Sequence, residues 1–194
     1  IVEKQLIGED FRALVVNNRL IAVAERVPAH VVGDGKLTIQ QLIDKTNEDP
    51  RRGYGHENVL TQIDIDNQTL RCIRKAGYEL DTVLTKGERL LLKTTANIST
   101  GGTAIDRTDE VHPENVFLFE RIAKIIGLDV AGVDVIAPNV SEPLRENGGG
   151  IIEVNAAPGF RMHLAPSEGI GRNVAEHVID MLFPPGTPAR IPIF

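Results

Sequence analysis

Two strand-length apolar runs near the start of the chain, residues 11–16 and 20–24, are separated only by Asn17, Asn18 and Arg19. Asparagine tolerates the positive φ of a tight turn, so this pattern predicts a β-hairpin. Gly33-Asp34-Gly35 then interrupts the chain, and Thr38 stands where it can cap a short helix running to about Asp44. Residues 46–58 are polar, contain Pro50, Gly53 and Gly55, and read as a long surface loop. A second helix is predicted over 67–75, ending at Gly77. Residues 89–93 read as a strand and 94–112 as an extended loop. Pro113 suits the first turn of a helix reaching Gly127, with Val116, Phe119, Ile122, Ala123 and Ile126 on its apolar face. Two further strands, 130–136 and 151–154, are joined by a loop in which Gly148-Gly149-Gly150 reads as flexible. A last helix over 172–182 stops before Pro184-Pro185-Gly186. There is no internal repeat. Mixed strands and helices without strict βαβ alternation predict an α+β fold, an antiparallel sheet covered by helices.

With 194 residues, 42% of them hydrophobic, the chain can bury a core. It opens in a strand-like run, Ile1-Val2-Glu3-Lys4, and closes on Arg190-Ile191-Pro192-Ile193-Phe194, so an incomplete domain of a larger protein is expected. The formal charge of −6 with dispersed Lys and Arg argues against a nucleic-acid partner. No apolar run approaches the length of a membrane span, so no membrane partner is expected. The single cysteine, Cys72, has no internal partner and reads as a core filler, which fits a reducing cytoplasm.

The chemistry concentrates in two apolar strands that carry acids. Asp134 lies within Val133-Asp134-Val135-Ile136, and Glu153 and Asn155 lie within Ile151-Ile152-Glu153-Val154-Asn155. A carboxylate inside an apolar strand is costly unless its charge is compensated. Alternation puts Glu153 and Asn155 on one face, and Asp134 can face them if the strands pair antiparallel. Two carboxylates and an amide oxygen suit Mg²⁺, a hard cation that keeps phosphate and water ligands. The alternative is a solvated sheet face whose acids pair with Lys or Arg; the pattern alone leaves both open.

The segment that follows is Ala156-Ala157-Pro158-Gly159-Phe160-Arg161-Met162-His163. An acid in one strand, then a strand ending Glu-x-Asn-x-x-Pro-Gly, resembles the metal-binding signature of ATP-grasp ligases such as D-alanine:D-alanine ligase and glutathione synthetase. The resemblance implies that Asp134, Glu153 and Asn155 hold two Mg²⁺ ions against ATP phosphates, with Glu153 bridging. Residues 49–57, 95–106, 127–134 and 153–163 resemble, in order, the cyanophycin synthetase family within the ATP-grasp group. That resemblance makes residues 1–183 the C-terminal portion of an ATP-grasp domain and 184–194 a linker toward a Mur-ligase-like domain. No Gly-x-x-x-x-Gly-Lys-Ser/Thr stretch is present, so a Mur-like active site would lie elsewhere.

The family resemblance further implies ATP and Mg²⁺ as cofactors. A cyanophycin or aspartate-containing peptide primer and aspartate would be the substrates, with arginine added by the other half of a homo-oligomeric full-length protein. The backbone around Lys4 and Leu6 would meet adenine, and Asp10, otherwise a turn residue after Gly8, would hold the ribose. Asn97, Ser99, Thr100, Gly101 and Gly102 form a donor- and glycine-rich loop, suited either to an ordinary surface or to close approach by phosphate. Arg161 is placed to grip a substrate carboxylate or to form a surface ion pair, and Arg12 to do the same. Arg51-Arg52 reads as a solvated pair or a polymer contact. His56 and His163 are not expected to catalyse, and His30, His112 and His177 read as structural or solvent-facing. The activity implied is ATP-dependent amide formation through an acyl phosphate. Another ATP-grasp peptide ligase, or a nucleotide-binding domain without catalysis, are the rival readings.

Overall fold

A computed structural model describes residues 5–55, 57–184 and 186. Two compact units share the chain: Ile1–Glu25 with Asp106–Phe194, and Arg26–Ile105.

The first unit is built on the predicted hairpin, β1 (Glu9–Val16) and β2 (Arg19–Val27). Asn17 and Asn18 have φ of 49° and 60°, the two successive positive values that a two-residue turn needs to match strand twist. With β8 (Val130–Ala137) and β9 (Gly150–Asn155), this unit's strands run in the order β2-β1-β8-β9, and β7 (Thr103–Asp106) lies mostly within the second unit's residues. Both β1–β8 and β8–β9 are antiparallel.

Strand alternation sorts the residues of this sheet. Phe11, Ala13 and Val15 share one face with Ala131, Val133, Val135 and Ala137, and Phe119 and Ala123 of α3 (Pro113–Ile126) complete a dry core there. Each such large side chain removed from water contributes about 1.5–3 kcal/mol. On the opposite face, Leu14, Val16 and Ala22 pack against Val174 of α6 (Val174–Leu182). Farther along, that face carries the polar Asp10, Arg12 and Asp134 beside Ile136.

Helix α3 starts and stops as expected, with Pro113 in its first turn, the His112 ring accepting from the Glu114 N–H, and Gly127 at φ 78° closing it. Its faces differ from the periodicity in two places. Ile126 is 52% exposed, while Asn115 is buried. The Asn115 amide donates to the carbonyls of Val140 and Glu142 and accepts from Leu144 N–H, so a polar side chain fastens the loop after β8 from inside.

Three other expectations need correction. The stretch 94–112 is not a plain loop: it contains β7 and 3₁₀ turns at Ile98–Thr100 and Thr108–Glu110. The Gly148–Gly150 run is not slack. Gly148 ends α4 (Leu144–Asn147) at φ 82°, and a Cβ on Gly149 would fall 2.7 Å from Ala137 Cβ. Helix α6 begins two residues later than predicted, because the Arg172 side chain is held by Asp106 and Asp109.

The second unit packs α1 (Ile39–Asn47) and α2 (Asn67–Lys75) over a core that includes Ile39, Ile43, Ile73, Leu84 and Leu92. Strands β3 (His30–Val32) and β6 (Arg89–Leu91) pair antiparallel. Thr38 and Gln41 form a reciprocal capping box on α1. Within the predicted surface loop, β4 (Arg52–Gly53) pairs parallel with β5 (Leu60–Thr61), and Arg52 is buried. Cys72 on α2 is half-buried and free rather than a core filler. Among the described residues no helix is long and apolar enough to cross a membrane. Of the segment 184–194, only Pro184 and Gly186 lie within the described residues.

Lys93 is 2% exposed, and its Nζ lies 2.6 Å from Asp66 Oδ2. Asp66 also accepts from Gln68 and Thr69 N–H as the α2 cap, and the bond from Lys93 leads the forces that hold its carboxyl down to about pKa 2. A depressed acid pKa stabilises the fold fully above the unfolded value near 3.8, and the contribution is lost as pH falls toward about 2. Asp66→Ala removes the cap and strands a buried ammonium, so we expect it to lower stability by about 2–4 kcal/mol in urea unfolding at neutral pH. Asp66→Asn, which keeps the cap, should recover only part of that loss.

Candidate active site

The polar half of the sheet is a consequence of register. Arg12 on β1 stands opposite Asp134 on β8, and Asp134 stands opposite Glu153 on β9. Directly opposed residues in antiparallel strands share a face, so these three side chains form a row across three strands. Asp10 and Asn155 lie two residues along from Arg12 and Glu153, on the same face.

The central acid is compensated by the protein itself. Arg12 and Asp134 are both buried, at 8% and 6% exposure. The guanidinium engages both carboxylate oxygens, through Nε to Oδ1 and through Nη2 to Oδ2 at 2.8 Å. A two-toothed contact of this kind fixes the carboxylate's orientation as well as its charge. Glu153, by contrast, is exposed, and Asn155 Nδ2 donates to its Oε1 at 2.9 Å. With its nitrogen so engaged, the Asn155 amide has its carbonyl oxygen left to accept or ligate. Among the described residues no group of three or more His, Cys, Asp and Glu is placed to hold a metal. The candidate set is two carboxylates and one amide oxygen, hard donors that fit Mg²⁺ when phosphate and water complete its shell.

Glycines set the clearances around this row. A Cβ on Gly132 would fall 2.6 Å from Pro158 Cβ and 3.1 Å from Arg12 Cδ, so the bare backbone lets the arginine stem cross β8 and Pro158 seat beneath it. Pro158 is buried and anchors the turn from β9 into α5 (Arg161–Leu164), which begins with half-buried Arg161. Downstream, Arg172 donates to Asp106 Oδ2 at 2.7 Å and to Asp109 Oδ2 at 2.6 Å, and its backbone N–H reaches His163 O at 2.8 Å. Burial alone would raise the Asp106 carboxyl, but the bonds from Arg172 and Thr108 outweigh it and hold its pKa below the ordinary range. His163 is buried.

At the other end of the face, Leu6 lies over Gly150, where a Cβ would come within 2.7 Å of Leu6 Cδ1. The β8–β9 register shifts between Asp134 and Val135, leaving Ile152 as an extra residue, and this bulge brings Gly150 rather than Ile151 opposite Ile136. Lys4 and His56 lie outside the described residues. His30 Nδ1 meets Pro28 O, and His177 is exposed.

The loop 97–102 belongs to the second unit. Asn97 and Ser99 are exposed and Thr100 is half-buried, whereas Gly101 and Gly102 are buried. The two glycines serve packing within that unit: a Cβ on Gly101 would lie 2.8 Å from Ile63 Cγ1, and one on Gly102 2.8 Å from Val27 O. Arg52 Nη1 donates to Thr61 O at 2.6 Å and to Gly101 O at 3.0 Å, fastening this loop from below. Arg51 instead forms an exposed pair with Asp49, and that bond leads in bringing the Asp49 pKa to about 2.

Sequence reasoning singled out Arg12 and Asp134 separately and missed that they are partners. The available signal was a charged residue on the same strand face as buried Leu14 and Val16. Asp106 and Asp109 were missed in a stretch that read as an extended loop, and Arg172 was missed because it read as the start of the last helix.

No family model matches the chain. Cyanophycin synthetase from Crocosphaera subtropica is 62% identical over 193 residues, covering 100% of this chain and 22% of that protein. The same enzyme from a Synechocystis species is also 62% identical over the same shares. The chain is a relative of cyanophycin synthetase. It spans about a fifth of the length of those cyanophycin synthetases. A glutathione biosynthesis bifunctional protein from Clostridium perfringens is 33% identical over 94% of this chain and 24% of its own length. The crystal structure of a bifunctional glutathione synthetase from Pasteurella multocida superposes with a TM-score of 0.79 at 36% identity, over 93% of this chain and 24% of that one. The α+β, ATP-grasp arrangement expected from the sequence is the fold observed.

Gly132→Ala should force apart the Arg12 stem and Pro158. We expect a loss of about 1–3 kcal/mol in thermal or urea unfolding, typical of an overpacked site. Gly127→Ala, with open space around its Cβ position, should be destabilised only through its positive φ and serves as the comparison.

Proposed function

We propose that this chain is part of an ATP-dependent carboxylate–amine ligase that adds aspartate to the C-terminus of a cyanophycin-like peptide. In this reading residues 1–183 are the C-terminal portion of the ATP-grasp domain, and 184–194 lead toward a Mur-like half that adds arginine. The observation that carries it is the row Arg12, Asp134, Glu153 and Asn155 on one sheet face, in a chain so similar to cyanophycin synthetase. The greater likeness to that enzyme favours it over a glutathione-forming activity. A cytoplasmic, homo-oligomeric full-length protein is part of the same reading.

Asp134, Glu153 and Asn155 would hold Mg²⁺, which supplies charge neutralisation for ATP phosphates. The protein's own contribution is positional. Arg12 and the β1–β8–β9 register fix the Asp134 carboxylate, and Asn155 holds the Glu153 side chain. Arg161 receives the substrate carboxylate at the start of α5. Leu6 covers the Gly150 end of the face, where adenine would lie, and Asp10 would take the ribose. Asn97 and Ser99 are the exposed donors of the second unit's loop, while Thr100 gives its hydroxyl to Asn97 O and Gly101 and Gly102 shape the backbone. A γ-phosphoryl group passed to the peptide carboxylate gives an acyl phosphate, which the α-amine of aspartate attacks to form the amide with release of phosphate. Chemistry of this kind depends on alignment and charge more than on a histidine base.

Glu153→Gln keeps shape and removes one ligand charge. In the full-length protein supplied with ATP, Mg²⁺ and a defined primer, aspartate incorporation should fall by about 10²–10⁴-fold. Arginine addition to a primer ending in free aspartate should persist, with circular dichroism unchanged. Near-normal aspartate incorporation would remove Glu153 from the mechanism.

A further inference from the structure

The metal reading leaves one relationship unexplained: the acid assigned to Mg²⁺ is already gripped by a cation. Arg12 meets both oxygens of Asp134, the pair is buried, and its guanidinium lies in the row that includes Glu153. We propose that Arg12 is an internal counter-ion that keeps free divalent cations off Asp134 and yields only to a metal arriving with its nucleotide. This inference rests on the metal-site reading above.

Charge balance supplies the argument. Arg12, Asp134 and Glu153 together carry a single net negative charge. A dication arriving beside a buried guanidinium is repelled in a setting where water screens poorly. Phosphate oxygens reverse that balance. They bring negative charge and also offer the guanidinium fork a new planar partner as good as the carboxylate. The Arg12 stem crosses β8 over the bare backbone of Gly132, so no side chain at that position has to move when the guanidinium changes partner. Asp134 is thus available to a metal–nucleotide complex and guarded against the metal alone. Arg12 is therefore a positioning residue that acts through Asp134 and gives the site its preference for the complex.

The test is direct Mn²⁺ binding to the full-length protein, read by electron paramagnetic resonance of the free ion at neutral pH. Four forms are compared: wild type, Arg12→Met, Arg12→Lys and Asp134→Asn. Without nucleotide, Arg12→Met should bind Mn²⁺ at the Asp134-dependent site about tenfold more tightly than wild type, the scale of one removed buried charge. Arg12→Lys, a point charge that cannot span both oxygens, should fall between them; it decides the matter if the Met variant does not fold. With a non-hydrolysable ATP analogue present, the advantage of both variants should vanish or reverse. Unchanged or weaker Mn²⁺ binding in both Arg12 variants, with Asp134→Asn abolishing the site, would overturn the counter-ion role while leaving the metal reading intact. Binding unaffected by Asp134→Asn would overturn both.

Discussion

A buried carboxylate is costly without a compensating partner, and Arg12 supplies one for Asp134. Much of the first unit can be derived from this pair. Arginine meets aspartate across neighbouring strands because β1 and β8 pair antiparallel in a register that opposes residues 12 and 134. That register sends Phe11, Ala13, Val133 and Val135 to the other face, where α3 covers them. It also makes Gly132 necessary, because the arginine stem passes over it. A one-residue slip would bury Arg12 against Phe119 and expose the core, so the ion pair and the hydrophobic sorting enforce each other.

The same arrangement explains how a sheet face stays open. Leu14 and Val16 meet α6, while the neighbouring polar end of the face is left for function. The acids are not equivalent there. Asp134 is buried on an interior strand and gripped at both oxygens by Arg12, and Glu153 is exposed on the edge strand, where Asn155 donates to it. The row thus grades from a rigid acid to a movable one.

Elements with local signals were legible in the sequence. The Asn17-Asn18 turn, the Thr38 capping box and the Pro113–Gly127 helix each carry their own punctuation, and each is present. Asp134, Glu153 and Asn155 were readable as co-facial from alternation alone, given antiparallel pairing. What remained hidden depends on partners distant in sequence. Arg52 reads as solvated by composition, yet two backbone carbonyls draw it inside. Asn115 displaces an apolar residue from the inner face of α3 because a loop 25 residues or more away needs its amide. Strand β7 is four residues long, and its pairing with β2 leaves no periodic trace. Gly149 was read as slack, and Gly101 and Gly102 as part of a surface or phosphate-approaching loop, whereas all three are clearances for neighbouring atoms.

The bulge at Ile152 divides β9 into two stretches of independent parity. Ahead of it, Gly150 keeps its place opposite Ile136 and beneath Leu6; after it, Glu153 and Asn155 keep theirs beside Asp134 and Gly132. Without the spare residue, any change in the length of the connection from Ala137 to Gly150 that slid the strand would invert both stretches together. With it, a strain entering from that connection can be absorbed at one unpaired residue before it reaches the acids. The bulge is therefore a mechanical fuse, in which a movement of the connection is spent at Ile152 and the pairing of Glu153 with Asp134 is kept.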